Sequence, residues 1–203
     1  MYKKVDDYLT PAQYKLLKAQ VFSGKTPWTF LRNVTNNAMK DSFKSPTNPE
    51  HWTPGMGSSI FYEGKVENNS LWTLVQPLID YSIGRVMRVK LGFVYGRVNK
   101  DRPIINNAHV DWNIPHVTQL YYLTDSIAPT YLYFEKQDPD KDGYISPSHD
   151  DLTVMEVSEH KANSCIFFDG LHYHASSSPE PFDVRVNINI NYEQKQNKNK
   201  AGL

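Results

Sequence analysis

Two stretches of the sequence carry side chains that could share one metal ion. His109 and Asp111 are two residues apart, so in an extended segment their side chains project from the same face. His172 and His174, which follow the apolar run 164–168, have the same spacing, and strand alternation alone does not separate them. A lone His-x-Asp pair is weak evidence, and the downstream histidines strengthen it by offering a third ligand.

The types of ligand favour iron(II). Two histidines and one carboxylate form the facial triad of non-haem iron(II) oxygenases, which leaves coordination positions open. Manganese, cobalt or nickel would bind the same ligands without supporting the chemistry. The one cysteine, Cys165, lies in an apolar run, so the sequence offers neither a disulfide nor a thiolate site for structural zinc.

The elements that position these residues are predicted to be helices first and strands afterwards. Thr10 and Pro11 are typical of a helix start, and Gly24 of its end. A second helix is expected within 71–83 with Ser70 as its cap, and residues 35–58 are expected to form a surface loop. The predicted strands are 87–98, 108–111, 118–123, 131–134, 152–157, 164–168 and 184–192. This order predicts an α+β, mainly β fold: an antiparallel sandwich or jelly roll backed by the N-terminal helices.

The last predicted strand, 184–192, has two chemically different faces. Val184, Val186, Ile188 and Ile190 alternate with Arg185, Asn187, Asn189 and Asn191. The apolar face should be buried under the helices. The polar face fits either a solvated outer surface or the lining of an internal cavity, where Arg185 could hold a carboxylate with its two-pronged guanidinium. From this strand alone a solvated outer surface is favoured.

Composition excludes several classes of function. The 203 residues hold 22 Lys and Arg against 22 Asp and Glu, and this zero net charge disfavours duplex nucleic acid and anionic membranes as partners. No signal peptide or membrane-spanning stretch is recognisable, so a cytoplasmic location is expected. A single domain over 1–203 is expected, with helical and loop support in 1–86, a jelly-roll core in 87–192 and a flexible tail in 193–203.

The order of the motifs resembles the 2-oxoglutarate and iron(II)-dependent dioxygenases. It is carried by His109-x-Asp111, the Tyr-Tyr-Leu run 121–123, Phe-Asp-Gly at 168–170 leading to His174, and Arg185. Within that superfamily the chain is most similar to the prolyl 4-hydroxylase-like branch, which includes small bacteriophage-encoded members. The resemblance covers roughly residues 87–192 and implies a double-stranded β-helix, the jelly roll of that family. A viral origin would imply the host cytoplasm.

The resemblance also implies a ligand set for iron. It consists of His109, Asp111 and His174, which the family would use as both metal-binding and catalytic residues. His174 is preferred to His172 because the family's distal histidine is typically followed by a small residue, here Ala175.

Three further residues are implied to hold the cosubstrate. Arg185 would pair with the distal carboxylate of 2-oxoglutarate, and Tyr122 would donate its hydroxyl to the same group. Asn189, on the polar face of the last strand, would also face the cosubstrate.

The implied activity is the oxidation of an unactivated C–H bond with O2, releasing succinate and CO2. The substrate would be a protein side chain, such as a prolyl residue, or a small molecule. Ala-Pro-Thr at 128–130 replaces the family's Gly-Gly-x-Thr-like element, which leaves the identity of the substrate open.

An acidic segment offers a different interpretation. Residues 138–145 match the first eight positions of an EF-hand loop, with Asp138, Asp140 and Asp142 as oxygen ligands. His149 occupies the twelfth position, where a glutamate belongs, and no flanking helices are predicted. An acidic hairpin loop is favoured. The alternatives to a dioxygenase are a non-catalytic jelly-roll module that binds calcium at this acidic segment and a cupin-like metal isomerase.

Overall fold

The computed structural model describes residues 2–31, 34, 54–96, 104–140, 147–181 and 183–194. Within these ranges the chain forms two α-helices and twelve strands. The helices are α1 (Pro11–Val21) and α2 (Asn69–Val75). The strands are β1 (Tyr2–Val5), β2 (Thr29–Leu31), β3 (Gly55–Tyr62), β4 (Lys65–Val66), β5 (Gly84–Tyr95), β6 (Ile104–Ile105), β7 (His116–Tyr122), β8 (Ser126–Lys136), β9 (Val154–His160), β10 (Ser164–Asp169), β11 (His172–Ser178) and β12 (Val184–Gln194).

The strands form two antiparallel sheets that pack face to face. The larger sheet has the order β1-β10-β7-β12-β5-β3-β2, with β4 paired to β3, and the smaller one has the order β6-β11-β8-β9. Leu120 and Phe168 of the larger sheet pack with Leu132 of the smaller one in a buried cluster between them. This architecture confirms the predicted jelly roll in a mainly β, α+β fold.

The helices cover the outer face of the larger sheet. Leu17 of α1 and Leu71 of α2 belong to the same buried cluster as Val186, Ile188 and Ile190 of β12. The prediction that the apolar face of the last strand lies under the helices is therefore confirmed. Its polar face points to the smaller sheet instead of solvent, which decides between the two interpretations of this strand.

Both helices are shorter than predicted, for local reasons. Thr10 caps α1 in a capping box with Gln13, but the helix ends at Val21, and Gly24 takes a left-handed conformation (φ +75°) beyond it. The N-cap of α2 is Asn68, not Ser70. This helix ends at Val75, and Pro77 lies in a following 3-10 turn, since proline lacks the N–H that would continue an α-helix.

Several strand predictions are corrected. Residues 108–111 do not form a strand: His109 makes only an isolated bridge to His174, and the neighbouring strand is β6. The segment 1–86, expected to be helix and loop, also supplies β1 to β4, and β3 begins inside the predicted loop 35–58. The strand β11 was not predicted, because its sequence is rich in His and Ser and lacks an apolar alternation.

Among the described residues, no helix combines the length and the apolar character needed to cross a membrane. The strand β12 continues to Gln194, and the rest of the predicted tail, 195–203, lies outside the described residues. The division into one domain stays a prediction.

Candidate metal centre and cavity

Backbone pairing places two of the predicted metal ligands side by side. The His109 N–H donates to the His174 carbonyl at 3.0 Å, and the His174 N–H donates back at 2.9 Å. The two imidazole rings consequently lie with their centroids 4.5 Å apart. His109 lies in the connection after β6 and His174 in β11, so this pairing at the edge of the smaller sheet unites the two sequence motifs.

Asp111 completes a compact group of three possible ligands. The ligand atoms of His109, Asp111 and His174 all lie within 4.8 Å of one another, and His174 Nε2 is 3.8 Å from Asp111 Oδ2. Atoms bound to one ion at about 2.1 Å are at most about 4 Å apart, so small side-chain rotations close the group around a metal.

Hydrogen bonds fix the tautomer of both histidines. His109 Nδ1 lies 3.1 Å from the Asn107 carbonyl oxygen, and His174 Nδ1 lies 3.3 Å from that of His172. A carbonyl can only accept a hydrogen bond, so each Nδ1 carries the proton. Each Nε2 therefore keeps a lone pair for a metal, the arrangement that orients metal-binding histidines in proteins.

Asp111 is held by three side chains of the larger sheet. Arg88 Nη2 of β5 donates to Oδ1 at 2.6 Å, while Asn189 and Asn191 of β12 donate to Oδ2 at 2.9 and 3.0 Å. Arg88 Nε also donates to Asn191 Oδ1 at 3.0 Å. Arg88 and Asn191 were not predicted as site residues, although the polar alternation of the last strand already marked Asn191.

Burial and charge give these ligands the protonation states that a metal requires. Burial lowers the pKa of His109, and burial together with the nearby His109 lowers that of His174 to about 3. Burial alone would raise the pKa of Asp111, but Arg88 holds it well below its usual value. At neutral pH the site consists of two neutral imidazoles and a carboxylate, which can bind a cation without first releasing protons.

The His172 side chain contacts a backbone carbonyl outside the possible metal group. Its Nδ1 lies 2.8 Å from the carbonyl oxygen of Tyr133, and the register with β8 shifts between His172 and His174. This irregularity breaks the strand alternation that made the two histidines equivalent in the sequence. The described histidines that join Asp111 in a possible metal group are His109 and His174.

A second polar cluster surrounds Arg185. This side chain is only 2% exposed, and its Nη2 donates to Thr130 Oγ1 at 2.6 Å. Tyr122 donates its hydroxyl to the same oxygen at 2.8 Å. Arg185 Nε has no hydrogen-bond partner, and no described carboxylate forms an ion pair with the guanidinium. A buried cation without a counter-ion is costly, so the cluster is suited to receive an anion.

One cavity joins the two clusters. It has a volume of about 80 Å³, and its lining includes His109, Asp111, His174, Thr130 and Arg185. One side of the cavity is formed by the inner face of β12, with Arg185, Asn187 and Asn189. Along that strand Asn189 lies four positions after Arg185, a distance of about 13 Å at 3.3 Å per residue.

Asn189 was predicted to face the cosubstrate, and it lines this cavity. Its amide nitrogen is used by Asp111, whereas its buried Oδ1 has no hydrogen-bond partner. Tyr122, also a predicted cosubstrate residue, is fully buried beside Arg185, and the guanidinium carbon lies 5.9 Å from the centre of its ring.

The acidic segment 138–145, predicted as a hairpin loop with calcium binding as the alternative, is only partly described. Asp138 and Asp140 are exposed, and Asp138 Oδ1 accepts the Asp140 N–H at 3.0 Å, whereas Asp142 lies outside the described residues. Both ring nitrogens of His149, the twelfth position, are engaged: Nδ1 by the Tyr133 hydroxyl at 2.9 Å and Nε2 by the Asn106 carbonyl at 3.0 Å.

Solved structures with the same fold are known, although no protein-family model and no curated protein sequence matches the chain. The chain is similar to AviO1 from Streptomyces viridochromogenes, with 12% identity and a TM-score of 0.62 over 96% of this chain and 90% of that one. It is also similar to SnoN, a non-haem α-ketoglutarate-dependent epimerase of nogalamycin biosynthesis, with 10% identity and a TM-score of 0.61 over 95% of this chain and 77% of that one.

A third similar structure is a prolyl hydroxylase from Trichoplax adhaerens in complex with a peptide of hypoxia-inducible factor. It has 10% identity and a TM-score of 0.55 over 95% of this chain and 83% of that one. At such identities the likeness establishes the fold alone.

Proposed function

We propose that this protein is an iron(II) and 2-oxoglutarate-dependent dioxygenase. One observation carries the proposal: a single cavity has His109, Asp111 and His174 at one end and the buried Arg185, without a described counter-ion, at the other. The first group has the ligand types that non-haem iron(II) prefers, and the second is suited to a carboxylate.

The roles of the residues follow from their contacts. His109 and His174 would bind iron through Nε2, and Asp111 through a carboxylate oxygen. Arg185 would pair with the distal carboxylate of 2-oxoglutarate, and Tyr122 would turn its hydroxyl to the same group. The cavity-facing polar side chains of β12 run from the metal group to Arg185, and this distance can accommodate an elongated dicarboxylate.

When bound, iron(II) with 2-oxoglutarate and O2 supplies the oxidising power to break an unactivated C–H bond, with release of succinate and CO2. The chain's own part is to hold the ligands in one protonation state and to exclude water. Arg88, Asn189 and Asn191 orient Asp111, and the jelly roll buries the anchor Arg185.

The finer proposal is hydroxylation of a protein side chain or a small molecule. The residue order supports the prolyl 4-hydroxylase-like branch, and the solved relatives of this fold include a prolyl hydroxylase bound to a peptide and an epimerase. A prolyl target is therefore the first protein substrate to try.

The test is formation of succinate from 2-oxoglutarate by the protein loaded with iron(II). We expect turnover in the wild type and its loss in His174→Ala. His172→Gln is the matched control, because His172 is a neighbouring buried histidine outside the ligand group, and it should retain activity. If the iron-loaded wild type neither binds nor converts 2-oxoglutarate, the proposed function is wrong.

A further inference from the structure

A cationic side chain of the cavity has no role in the site described so far. Lys90 lies in β5, two residues after Arg88, and lines the same cavity. Its neighbours across the sheet are Asn189 of β12 and Ser59 of β3. It therefore lies beside Asn189 and two residues after Arg88, both of which hold Asp111. The strand β12 separates Lys90 from Tyr122 on β7.

The Lys90 side chain extends towards β3 and β2. A Cβ atom added at Gly57 would lie 3.2 Å from Lys90 Cε and 3.0 Å from Leu31 Cδ1, so the absence of a side chain at Gly57 makes room for the lysine. On this side the cavity lining includes Leu31 and Val94, which share the Lys90 face of the sheet. The ammonium group thus occupies a wall separate from the Arg185 cluster.

The ammonium is unpaired in the part of the chain that the structure describes. None of the described residues forms a hydrogen bond or an ion pair with Lys90 Nζ, while the neighbouring Arg88 is engaged by Asp111. Burial and the charge of Arg88 lower the pKa of Lys90 to about 8. An anion beside Lys90 would offset both effects, since each penalises the charged ammonium.

The charges of the cavity lining also leave a positive surplus of two. Among the described residues of the lining, Arg88, Lys90 and Arg185 face one carboxylate, Asp111. The proposed iron(II) and the doubly negative 2-oxoglutarate cancel each other. A positive surplus therefore remains on the Lys90 side after the proposed cofactors are bound.

We propose that Lys90 binds a carboxylate or similar oxyanion of the prime substrate, whose apolar part packs against Leu31 and Val94. This inference rests on the proposed function, because it assigns the substrate class of the same site. It makes the preferred substrate an acid, with the oxidised carbon held between the Lys90 wall and the metal group.

The experiment uses matched acids and amides as probes. Wild-type protein loaded with manganese(II) and saturating 2-oxoglutarate is titrated by calorimetry with straight-chain acids from acetate to hexanoate, and with the primary amide of each. We expect at least one acid to bind about tenfold or more tightly than its amide. Its apparent affinity should not change with 2-oxoglutarate concentration, since the two ligands would occupy separate walls.

Variants assign the preference to the lysine. Lys90→Met should abolish the preference for acid over amide, and Lys90→Arg, which keeps the charge, should retain it. Lys4→Met, at an exposed position of β1, is the matched control and should behave as the wild type.

The outcomes separate this inference from the proposed function. If the wild type does not bind 2-oxoglutarate, the proposed function fails. If 2-oxoglutarate binds normally but no acid is preferred, or Lys90→Met keeps the preference, the role of Lys90 is wrong. Loss of 2-oxoglutarate affinity in Lys90→Met would also overturn it by placing Lys90 in the cosubstrate site.

Discussion

Asp111 shows how a single ligand depends on residues far away in the sequence. Its two oxygens accept hydrogen bonds from β5 and β12, which lie beside each other in the larger sheet. These donors keep the carboxylate ionised and in place before any cation arrives. The metal site is therefore expected to be preorganised in the empty protein, and its affinity to depend on the donors as well as on the ligands.

Asn189→Ala tests this dependence. Removing the amide that donates to Asp111 Oδ2 should weaken manganese(II) binding by about 10–100-fold, the usual cost of losing a partner of a metal ligand. The measurement is calorimetry without 2-oxoglutarate. Asn187→Ala, two residues away on the same face, is the control and should bind metal as the wild type. Equal affinities in both variants would show that the contact with Asp111 has no part in metal binding.

Arg185→Met should remove the proposed anchor of the cosubstrate without disturbing metal binding. We expect the Kd of 2-oxoglutarate to rise by a factor of about 100, since a charge-assisted hydrogen bond to a buried group contributes about 1.5–3 kcal/mol. Tyr122→Phe should have a smaller effect, because the arginine retains the charge. An unchanged Kd in Arg185→Met, with manganese binding intact, would contradict the assignment of Arg185.

At the scale of elements, the turn between β10 and β11 determines where His174 lies. Gly170 donates its N–H to the carbonyl of His116, at the start of β7, at 2.8 Å. The His116 imidazole is fully buried, and a Cβ atom at Gly170 would clash with its Nε2. Glycine is thus required here by the close approach of a ring that has no space to move.

Gly170→Ala should lower the free energy of unfolding by about 1–3 kcal/mol, the usual cost of overpacking. The comparison that identifies the cause is the double variant with His116→Ala, in which the alanine at position 170 meets no ring. In the His116→Ala background, Gly170→Ala should leave the free energy of unfolding almost unchanged. A denaturant-based double-mutant cycle should therefore give a coupling energy of about 1 kcal/mol or more between the two positions. Additive effects would show that the ring contact is not the cause.

The sequence predicted the jelly roll, the burial of the apolar face of β12 and the residues that meet as a possible metal group. The first two have a local signal, the alternation along strands. His-x-Asp with two downstream histidines is also local, whereas the choice of His174 over His172 came from the resemblance to the dioxygenase family. Arg88 and Lys90 could not be found in this way, because their positions facing the cavity depend on which strands pair with β5. The strand β3 was also missed, because its Gly and Ser residues are typical of loops until a partner strand is known.

At the scale of the whole molecule, several buried histidines make stability dependent on pH. Burial lowers the pKa of His109 and His174, and burial together with Arg185 lowers that of His160. In the unfolded chain these groups titrate near pH 6.5 and bind protons that the folded form does not. Their contribution to stability is therefore complete above about pH 6.5 and is lost as the pH falls.

The metal-free protein should accordingly lose stability between pH 7 and pH 5, by up to about 1.4 kcal/mol per pH unit for each such histidine. Urea unfolding at a series of pH values measures this slope. His160→Phe should make it shallower, since it removes one buried imidazole, and the Val186 carbonyl that contacts His160 keeps the Leu123 N–H as a donor. A stability that does not change over this range would contradict the burial of neutral histidines.

The most direct measurement of the central claim is the visible charge-transfer absorption that iron(II) gives when a 2-oxo acid chelates it. Under anaerobic conditions the wild type should develop this band when iron(II) and 2-oxoglutarate are both present, and His174→Ala should not. Admission of O2 should then bleach the band as succinate forms. Absence of the band in the wild type, or an equal band in His174→Ala, would contradict a shared iron site at His109, Asp111 and His174.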